Sequence, residues 1–364
     1  MNIGIDISQV AYEGTGVGRF TKGLVEAILR YDRENNWTFL FSALRGKIDE
    51  ELLKNIKRSP HKYIRLPFPP PMLSLLWNTF HIVPIETFTG RLDVFICSDW
   101  TEPPSSCRKA TIVHDFAYLR YPETVHPLIL KTQKKRMGWV KKESSYVITP
   151  SKATQKDVST FFSIPLGKIS PLYSGVVIEK PSKKTLDNVS DKFDLSKPFL
   201  LSVGKLEPRK NIPRLIDAFI QTNKKDWDLV IVGPKGWDEK RNEKKQTSVK
   251  FTGYVTETEL HALYELCQFF VCPSLWEGFG YPVIEAMMHS KAVAASNNSS
   301  LAELVEGRGI LFDPLSTDDI SHTLLKLMDE PDVRLALAKK GYEYAQQFTW
   351  KRYYEGLMKT LQLK

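Results

Sequence analysis

Cysteine is scarce in this sequence and follows no pattern. Its four cysteines, Cys97, Cys107, Cys267 and Cys272, have neither zinc-site spacing nor the density of a disulfide scaffold, so reduced, buried thiols are expected. No apolar run is long enough for a signal segment or a membrane span, and no basic leader follows Met1, which gives a cytoplasmic expectation. Short tandem repeats are also missing. The stretch Gly14-Thr15-Gly16-Val17-Gly18 is not Gly-x-Gly-x-x-Gly and lacks the Gly-Lys-Ser/Thr ending of a P-loop. With no acidic residue after the strand expected near Phe39, nicotinamide dinucleotide use and P-loop ATP hydrolysis are both disfavoured. No aromatic-plus-basic module is present, so nucleic acid is not an expected partner.

What is present suits a folded enzyme. A chain of 364 residues with 42% apolar content fits two domains of ordinary size. The net charge of +9 favours anionic partners without choosing among nucleotide phosphates and acidic lipid headgroups. The densest basic run, Lys131, Lys134, Lys135, Arg136, Lys141 and Lys142, reads as a solvated helix face whose Leu130, Met137 and Val140 meet a core. A membrane-surface contact is the competing explanation.

Short apolar runs alternate with helical patterns. Ile3–Ile7, Trp37–Phe41, Val94–Ile96, Thr111–Val113 and Tyr146–Ile148 are expected strands, and Phe20, Leu24 and Ile28 form one helical stripe. Between Val176 and Pro198 the composition turns to Lys, Ser, Asp and Pro, and then the pattern restarts at Phe199–Gly204. Further strands are expected at Leu229–Val232, around Phe251, at Phe269–Val271, Val293–Ala295 and Ile310–Phe312. The fold class is therefore α/β, with two doubly wound Rossmann-like domains facing across a cleft, residues 1–176 and 177–345. Residues 346–364 form an aromatic-rich helix expected to pack on something.

Three patterns carry chemistry. Trp276-Glu277-Gly278-Phe279-Gly280-Tyr281-Pro282-Val283-Ile284-Glu285 sets two carboxylates about a helix start, Glu277 on the loop and Glu285 in the first turn. Backbone N–H groups and the positive helix end there suit a polyhydroxylated anion such as a sugar diphosphate. A lone first-turn acid more often just complements the helix dipole, and the neighbouring patterns shift that balance. Gly204-Lys205-Leu206-Glu207-Pro208-Arg209-Lys210-Asn211 clusters Lys205, Arg209 and Lys210 before a helix, where cations are ordinarily disfavoured, so an anion site is expected rather than a plain basic loop. His114 closes the strand Thr111–Val113, where an imidazole can meet a sugar hydroxyl, although a lone histidine is more often structural.

In this order the chain resembles the retaining glycosyltransferases of family four, which have the GT-B fold; Thr149-Pro150-Ser151-Lys152, Phe251-Thr252-Gly253-Tyr254-Val255 and Phe312-Asp313-Pro314 extend the likeness nearly end to end. The resemblance implies transfer of a hexose from a nucleotide-diphosphate sugar to a glycan or lipid-linked glycan with retention of anomeric configuration. It assigns Glu285 to the ribose, and Glu277 with Gly278, Phe279 and Gly280 to the transferred sugar. Lys205, Arg209 and Lys210 would hold the diphosphate, His114 would sit near the reaction centre, and Gly16 would approach the phosphates. Gly253, Tyr254 and Val255 would flank the base, and the last helix would brace the first domain. Ile96-Cys97 departs from the pattern, where many relatives carry a histidine, which leaves acceptor preference open.

No Asp-x-Asp falls at an expected strand end, so no metal and no further cofactor is expected. Competing readings are a noncatalytic sugar-nucleotide scaffold, separated by turnover, and a sugar-nucleotide epimerase, separated by isomerisation of free donor. The apolar stretch Pro67–Trp77 would either fill a core or meet a lipid-linked acceptor, with the protein then peripheral on the inner membrane face.

Overall fold

The computed structural model describes residues 1–12, 14–44, 46–234 and 248–362. They fall into two compact units, one made of Met1–Gly175 with the chain from Phe348 onward, the other of Val176–Gln347.

The first unit holds β1 (Asn2–Asp6), β2 (Asn36–Ser42), β3 (Lys62–Leu66), β4 (Val94–Cys97), β5 (Arg108–Ile112), β6 (Ser144–Thr149) and β7 (Ile169–Pro171). They form one sheet in the order β3-β2-β1-β4-β5-β6-β7, and every pairing is parallel. The sequence reading does not anticipate β3 or β7. Lys62-Tyr63-Ile64-Arg65-Leu66 is half-polar because it lies at an edge, and β7 has only three residues.

The second unit holds β8 (Phe199–Val203), β9 (Asp228–Val232), β10 (Val249–Gly253), β11 (Phe269–Cys272), β12 (Ala292–Ser296) and β13 (Ile310–Phe312), again all parallel, in the order β10-β9-β8-β11-β12-β13. Its core joins Leu200, Leu229, Ile231, Phe269 and Val271 to Leu215 and Phe219 of helix Ile212–Gln221 and Leu324 of helix Thr317–Asp329. Central strands are apolar on both faces because helices cover both. In each sheet the order reverses beside the first strand, between β1 and β4 and between β8 and β11. Such a reversal opens a crevice at the carboxyl ends of the two strands.

Several local expectations change. Helix Gly16–Tyr31 starts inside the glycine stretch: Thr15 caps it by accepting from the Gly18 N–H at 3.1 Å, so Gly16 and Gly18 are helical and not loop residues. The polar segment Val176–Pro198 is not all linker. It contains helix Lys183–Lys192, capped by Ser182, with Val189 buried and Lys192 paired to Glu259 at 2.5 Å. So few apolar residues anchor this helix that its composition imitates a connection. In the basic helix Pro127–Glu143, Lys131, Lys134, Lys135, Lys141 and Lys142 are exposed, but Arg136 is buried. Its guanidinium donates to the Ser98 and Ile112 carbonyls at 2.7 and 2.8 Å, bracing the ends of β4 and β5. The capping box at Thr256 and Glu259 is formed as expected.

The tail is two helices, Pro331–Ala345 and Trp350–Gln362, and Leu363 lies outside the described residues. The second of them packs on helix Gly16–Tyr31. Trp350 and Tyr353 meet Phe20 with ring centroids 5.7 and 5.4 Å apart, while Leu357 and Leu361 are fully buried. All four cysteines are free; Cys107 is half-buried and the other three are buried, with burial pushing the Cys267 thiol up to about 12 and Cys272 to about 11. Among the described residues, no helix is long and apolar enough to cross a membrane.

Candidate functional site

The site grows from the two strands that flank the sheet reversal of the second unit. After β8 the chain runs through Gly204 and Lys205 into a tight turn, Pro208–Lys210, and then helix Ile212–Gln221. Asn211 between them is left-handed (φ 57°), and its buried amide donates to the carbonyls of Pro273 and Pro314 at 3.1 and 2.8 Å. It thereby ties the loops after β11 and β13 to this turn. After β11, residues 273–280 lead to helix Tyr281–Met288. Gly280 has φ 101°, which favours glycine, and a Cβ there would lie 3.0 Å from Leu301.

The two loops meet at Glu277. Arg209 donates to Glu277 Oε2 at 3.1 Å and to the Trp276 carbonyl at 2.7 Å. Lys210 Nζ reaches Glu277 Oε1 at 2.5 Å, and Ser274 Oγ donates to the same oxygen at 2.7 Å. The Glu277 backbone is fixed too, its N–H donating to Ser299 Oγ at 3.2 Å and its carbonyl accepting from Ser300 Oγ at 3.0 Å. Burial alone would raise the Glu277 carboxyl, but the charges of Lys210 and Arg209 and the hydrogen bonds of Lys210 and Ser274 outweigh it and hold the pKa at about 2.

A pH test follows from that sign. Glu277 is depressed below the ordinary glutamate value of about 4.3, so the stability it contributes is present above that value and is lost as pH falls through about 2. The unfolding free energies of wild type and Glu277→Gln should differ most near neutrality and converge in acid. A constant difference down to the lowest accessible pH would contradict the ion pair.

Lys205 does not join this cluster. It pairs with Glu207 at 3.2 Å and stays half exposed, while Arg209 lies 3.8 Å from the same carboxylate. Three cations against Glu207 and Glu277 leave one surplus positive charge (3 − 2 = 1). Glu207 escapes the sequence reading because an acid amid bases looks like simple charge balance. Ser274, three residues before Glu277, could have been suspected from its place just after the strand.

Glu285 departs further from expectation. The helix begins at Tyr281, so Glu285 is its fifth residue and lies beyond the first turn. It is fully buried, with Oε2 accepting from the Tyr264 hydroxyl at 3.0 Å. Gly278 and Phe279 are buried beside Glu277, and the Phe279 ring stands edge-on to Tyr281 at 4.9 Å. At the end of β10, Gly253 (φ 72°) accepts from the Gly233 N–H at 3.1 Å, Tyr254 is largely exposed, and Val255 is buried. Asp226-Trp227-Asp228 lies at the amino end of β9, where Asp228 pairs with Lys250 at 3.1 Å. Among the described residues, no group of three or more His, Cys, Asp or Glu side chains is arranged to hold a metal ion.

His114 and Gly16 belong to the first unit. His114 lies two residues past β5 and meets the Phe20 ring edge-on at 4.8 Å. Burial lowers its pKa against the opposing charges of Asp99 and Asp115, so the imidazole is neutral at neutral pH. With Asp6, Gln9, Ser98 and Asp99 it lines a cavity of about 10 Å³ where β1 and β4 diverge. Ser98 Oγ donates to Asp6 at 2.6 Å and accepts from Gln9 at 2.7 Å. Gly16 opens its helix with nothing within 4 Å of the position a Cβ would take. A larger cavity, about 400 Å³, is lined by Ala11, Tyr12, Ala43, Leu44, Pro69 and Pro70.

Residues 183–344 match the model for glycosyl transferases group 1, a stretch that contains the whole Glu277 cluster. The chain is a glycosyltransferase. O-antigen chain mannosyltransferase B of Escherichia coli is 28% identical over 264 residues, covering 67% of this chain and 67% of that protein. Serotype-specific mannosyltransferase WbdA of Escherichia coli is 28% identical over 215 residues, 55% of this chain but 26% of its own length, so this chain spans about a quarter of that relative. Among solved structures, sucrose-phosphate synthase from Thermosynechococcus elongatus superposes with a TM-score of 0.73 at 17% identity, covering 99% of this chain and 98% of that one. Anabaena HepE in complex with UDP-glucose gives 0.70 at 17% identity over 99% of both chains. These two likenesses establish that the glycosyltransferase shares the two-sheet fold of those structures.

Proposed function

We propose that the glycosyltransferase moves a hexose from a nucleotide-diphosphate sugar to a hydroxyl of a glycan or lipid-linked glycan, with retention and without a metal ion. The observation that carries this reading is Glu277 held between Arg209 and Lys210 where β8 and β11 diverge. A carboxylate fixed as an anion accepts hydrogen bonds from sugar hydroxyls. Cations beside it, with surplus positive charge, relieve the charge that grows on a departing diphosphate, where preorganised electrostatics act most strongly. The sole Asp-x-Asp lies at the amino end of a strand and is engaged by Lys250, so Lys205, Arg209 and Lys210 are assigned the role a divalent cation would otherwise take.

In the proposed step the acceptor hydroxyl attacks the anomeric carbon on the face the phosphate leaves. The carbon–phosphate oxygen bond breaks, the carbon–acceptor oxygen bond forms, and the hydroxyl proton passes to the departing phosphate. Glu285 would bind the ribose once nucleotide opens access to it, with Tyr264 orienting its carboxylate. The exposed ring of Tyr254 is available to stack on a base. The two Escherichia coli relatives are named as mannosyltransferases, so nucleotide-activated mannose is the first donor to test.

A panel of uridine, guanosine and adenosine diphosphate sugars read by thermal shift identifies the donor, since a ligand that binds only the folded state raises its melting temperature. Turnover of the stabilising donor with a glycan acceptor then separates transfer from mere binding. Isomerised free donor without acceptor, or binding without any turnover, overturns the reading. His114 is assigned a hydrogen bond to substrate, and His114→Ala is expected to lower transfer relative to donor hydrolysis. Wild-type rates of both reactions would remove it from the site.

A further inference from the structure

The segment Pro67–Pro84 has no acidic, lysine or arginine side chain, yet it is only partly core. After the short helix Pro70–Leu73 the chain winds as a π-helix over Ser74–Phe80, a rare geometry with hydrogen bonds spanning five residues. Trp77 and Asn78 turn inward: the Trp77 indole donates to the Val83 carbonyl at 3.0 Å, and Asn78 donates to Trp100 O at 2.8 Å and accepts from the Glu102 N–H at 2.9 Å. The wide turn places Leu75 and Phe80, five apart, on the same side, and they are 52% and 62% exposed. Met72 before them and Ile82 after them, 48% and 52% exposed, extend the apolar face.

Helix Pro127–Glu143 lies alongside. Trp139 Nε1 donates to the Asn78 carbonyl at 3.0 Å, His81 stacks on the Trp139 ring at 3.6 Å, and Lys135 Nζ donates to Thr79 Oγ1 at 3.1 Å. Lys142 sits 4.6 Å over Trp139. Along this helix Leu128, Lys131, Lys135 and Lys142 are spaced three, seven and fourteen residues from the first, which keeps them on one stripe. Leu128 is exposed as well. The helix has one acid, Glu143, and that is engaged by Lys109 at 2.6 Å and His81 at 2.7 Å.

An exposed apolar ridge beside a lysine stripe, with the one acid of that helix paired to Lys109 and His81, matches the layered chemistry of an anionic bilayer: hydrocarbon below, negative headgroups above. We propose that the face formed by Met72, Leu75, Phe80 and Ile82 with Lys131, Lys135 and Lys142 docks the first unit on an anionic lipid surface. The 400 Å³ cavity is walled by Pro69 and Pro70, three and two residues before Met72, so its wall is continuous along the chain with the docked surface. The proposal stands apart from glycosyl transfer, because lipid binding is read without any sugar donor.

Sedimentation of the full chain with vesicles tests it, comparing phosphatidylglycerol in phosphatidylcholine with phosphatidylcholine alone. Binding is expected to anionic vesicles only and to weaken with salt. Leu75→Ser/Phe80→Ser and, separately, Lys131→Glu/Lys135→Glu should each reduce it at least tenfold with an unchanged melting temperature. Recovery of wild type in the supernatant, equal binding to neutral vesicles, or binding untouched by both pairs overturns the proposal. So does a wild-type dimer in solution that Phe80→Ser dissociates without vesicle binding, which would assign the ridge to a second copy of the chain.

Discussion

Glu277→Gln and Arg209→Ala are each expected to lower kcat/KM for transfer at least tenfold. Hydrogen bonds to charged groups are worth roughly 1.5–3 kcal/mol, and roughly 1.4 kcal/mol is a factor of ten in rate, so the loss falls between about tenfold and about 150-fold. The chemistry differs at the two positions. Glutamine keeps the shape of Glu277 but removes the anion between Arg209 and Lys210. Alanine at 209 removes a guanidinium that also fixes the Trp276 carbonyl, so the loop bearing Glu277 loses an anchor. Because the residues touch, the double variant should be less impaired than the product of the single effects. Unchanged turnover in both single variants would reject the site.

The second large effect concerns the fold. A Cβ on Gly23 would lie 2.1 Å from the Trp350 ring, inside any tolerable contact. Gly175 crowds the same tryptophan at its Cγ and backbone nitrogen, its own Cβ position 2.4 Å from each, so the tryptophan is confined at both its root and its ring. Gly23→Ala is therefore expected to destabilise the first unit by about 1–3 kcal/mol, the usual cost of overpacking. Adding Trp350→Leu should recover part of that loss by emptying the space. Urea unfolding of wild type, Gly23→Ala and the double variant checks this, and an unshifted midpoint in Gly23→Ala would show that the tail helix is not held as described.

How much of this is legible in the sequence depends on how local each feature is. The inner strands read out because parallel strands covered on both faces are short, nearly unbroken apolar runs such as Phe269–Cys272. The edge strand Lys62–Leu66 and helix Lys183–Lys192 do not, since each buries too little to leave a pattern. In the site, Arg209 and Lys210 with Glu277 can be named from motif and order, although 68 and 67 positions separate them along the chain. The burial of Glu285 beneath Tyr264 is decided by a partner 21 positions away, and the turn of Lys205 toward Glu207, though local, is concealed because an acid amid bases looks like plain charge balance. The helical state of Gly16 was obscured because three glycines in five residues resemble a loop, whereas the Thr15 cap decides the matter.

The placement of Trp350–Gln362 in the first unit means that the second is inserted within the first along the chain. Ribosomal synthesis runs in one direction, so Val176–Gln347 is synthesised entire before the helix that covers Phe20. The half begun first is finished last, and until then its nascent aromatic face is exposed to whatever attends the emerging polypeptide.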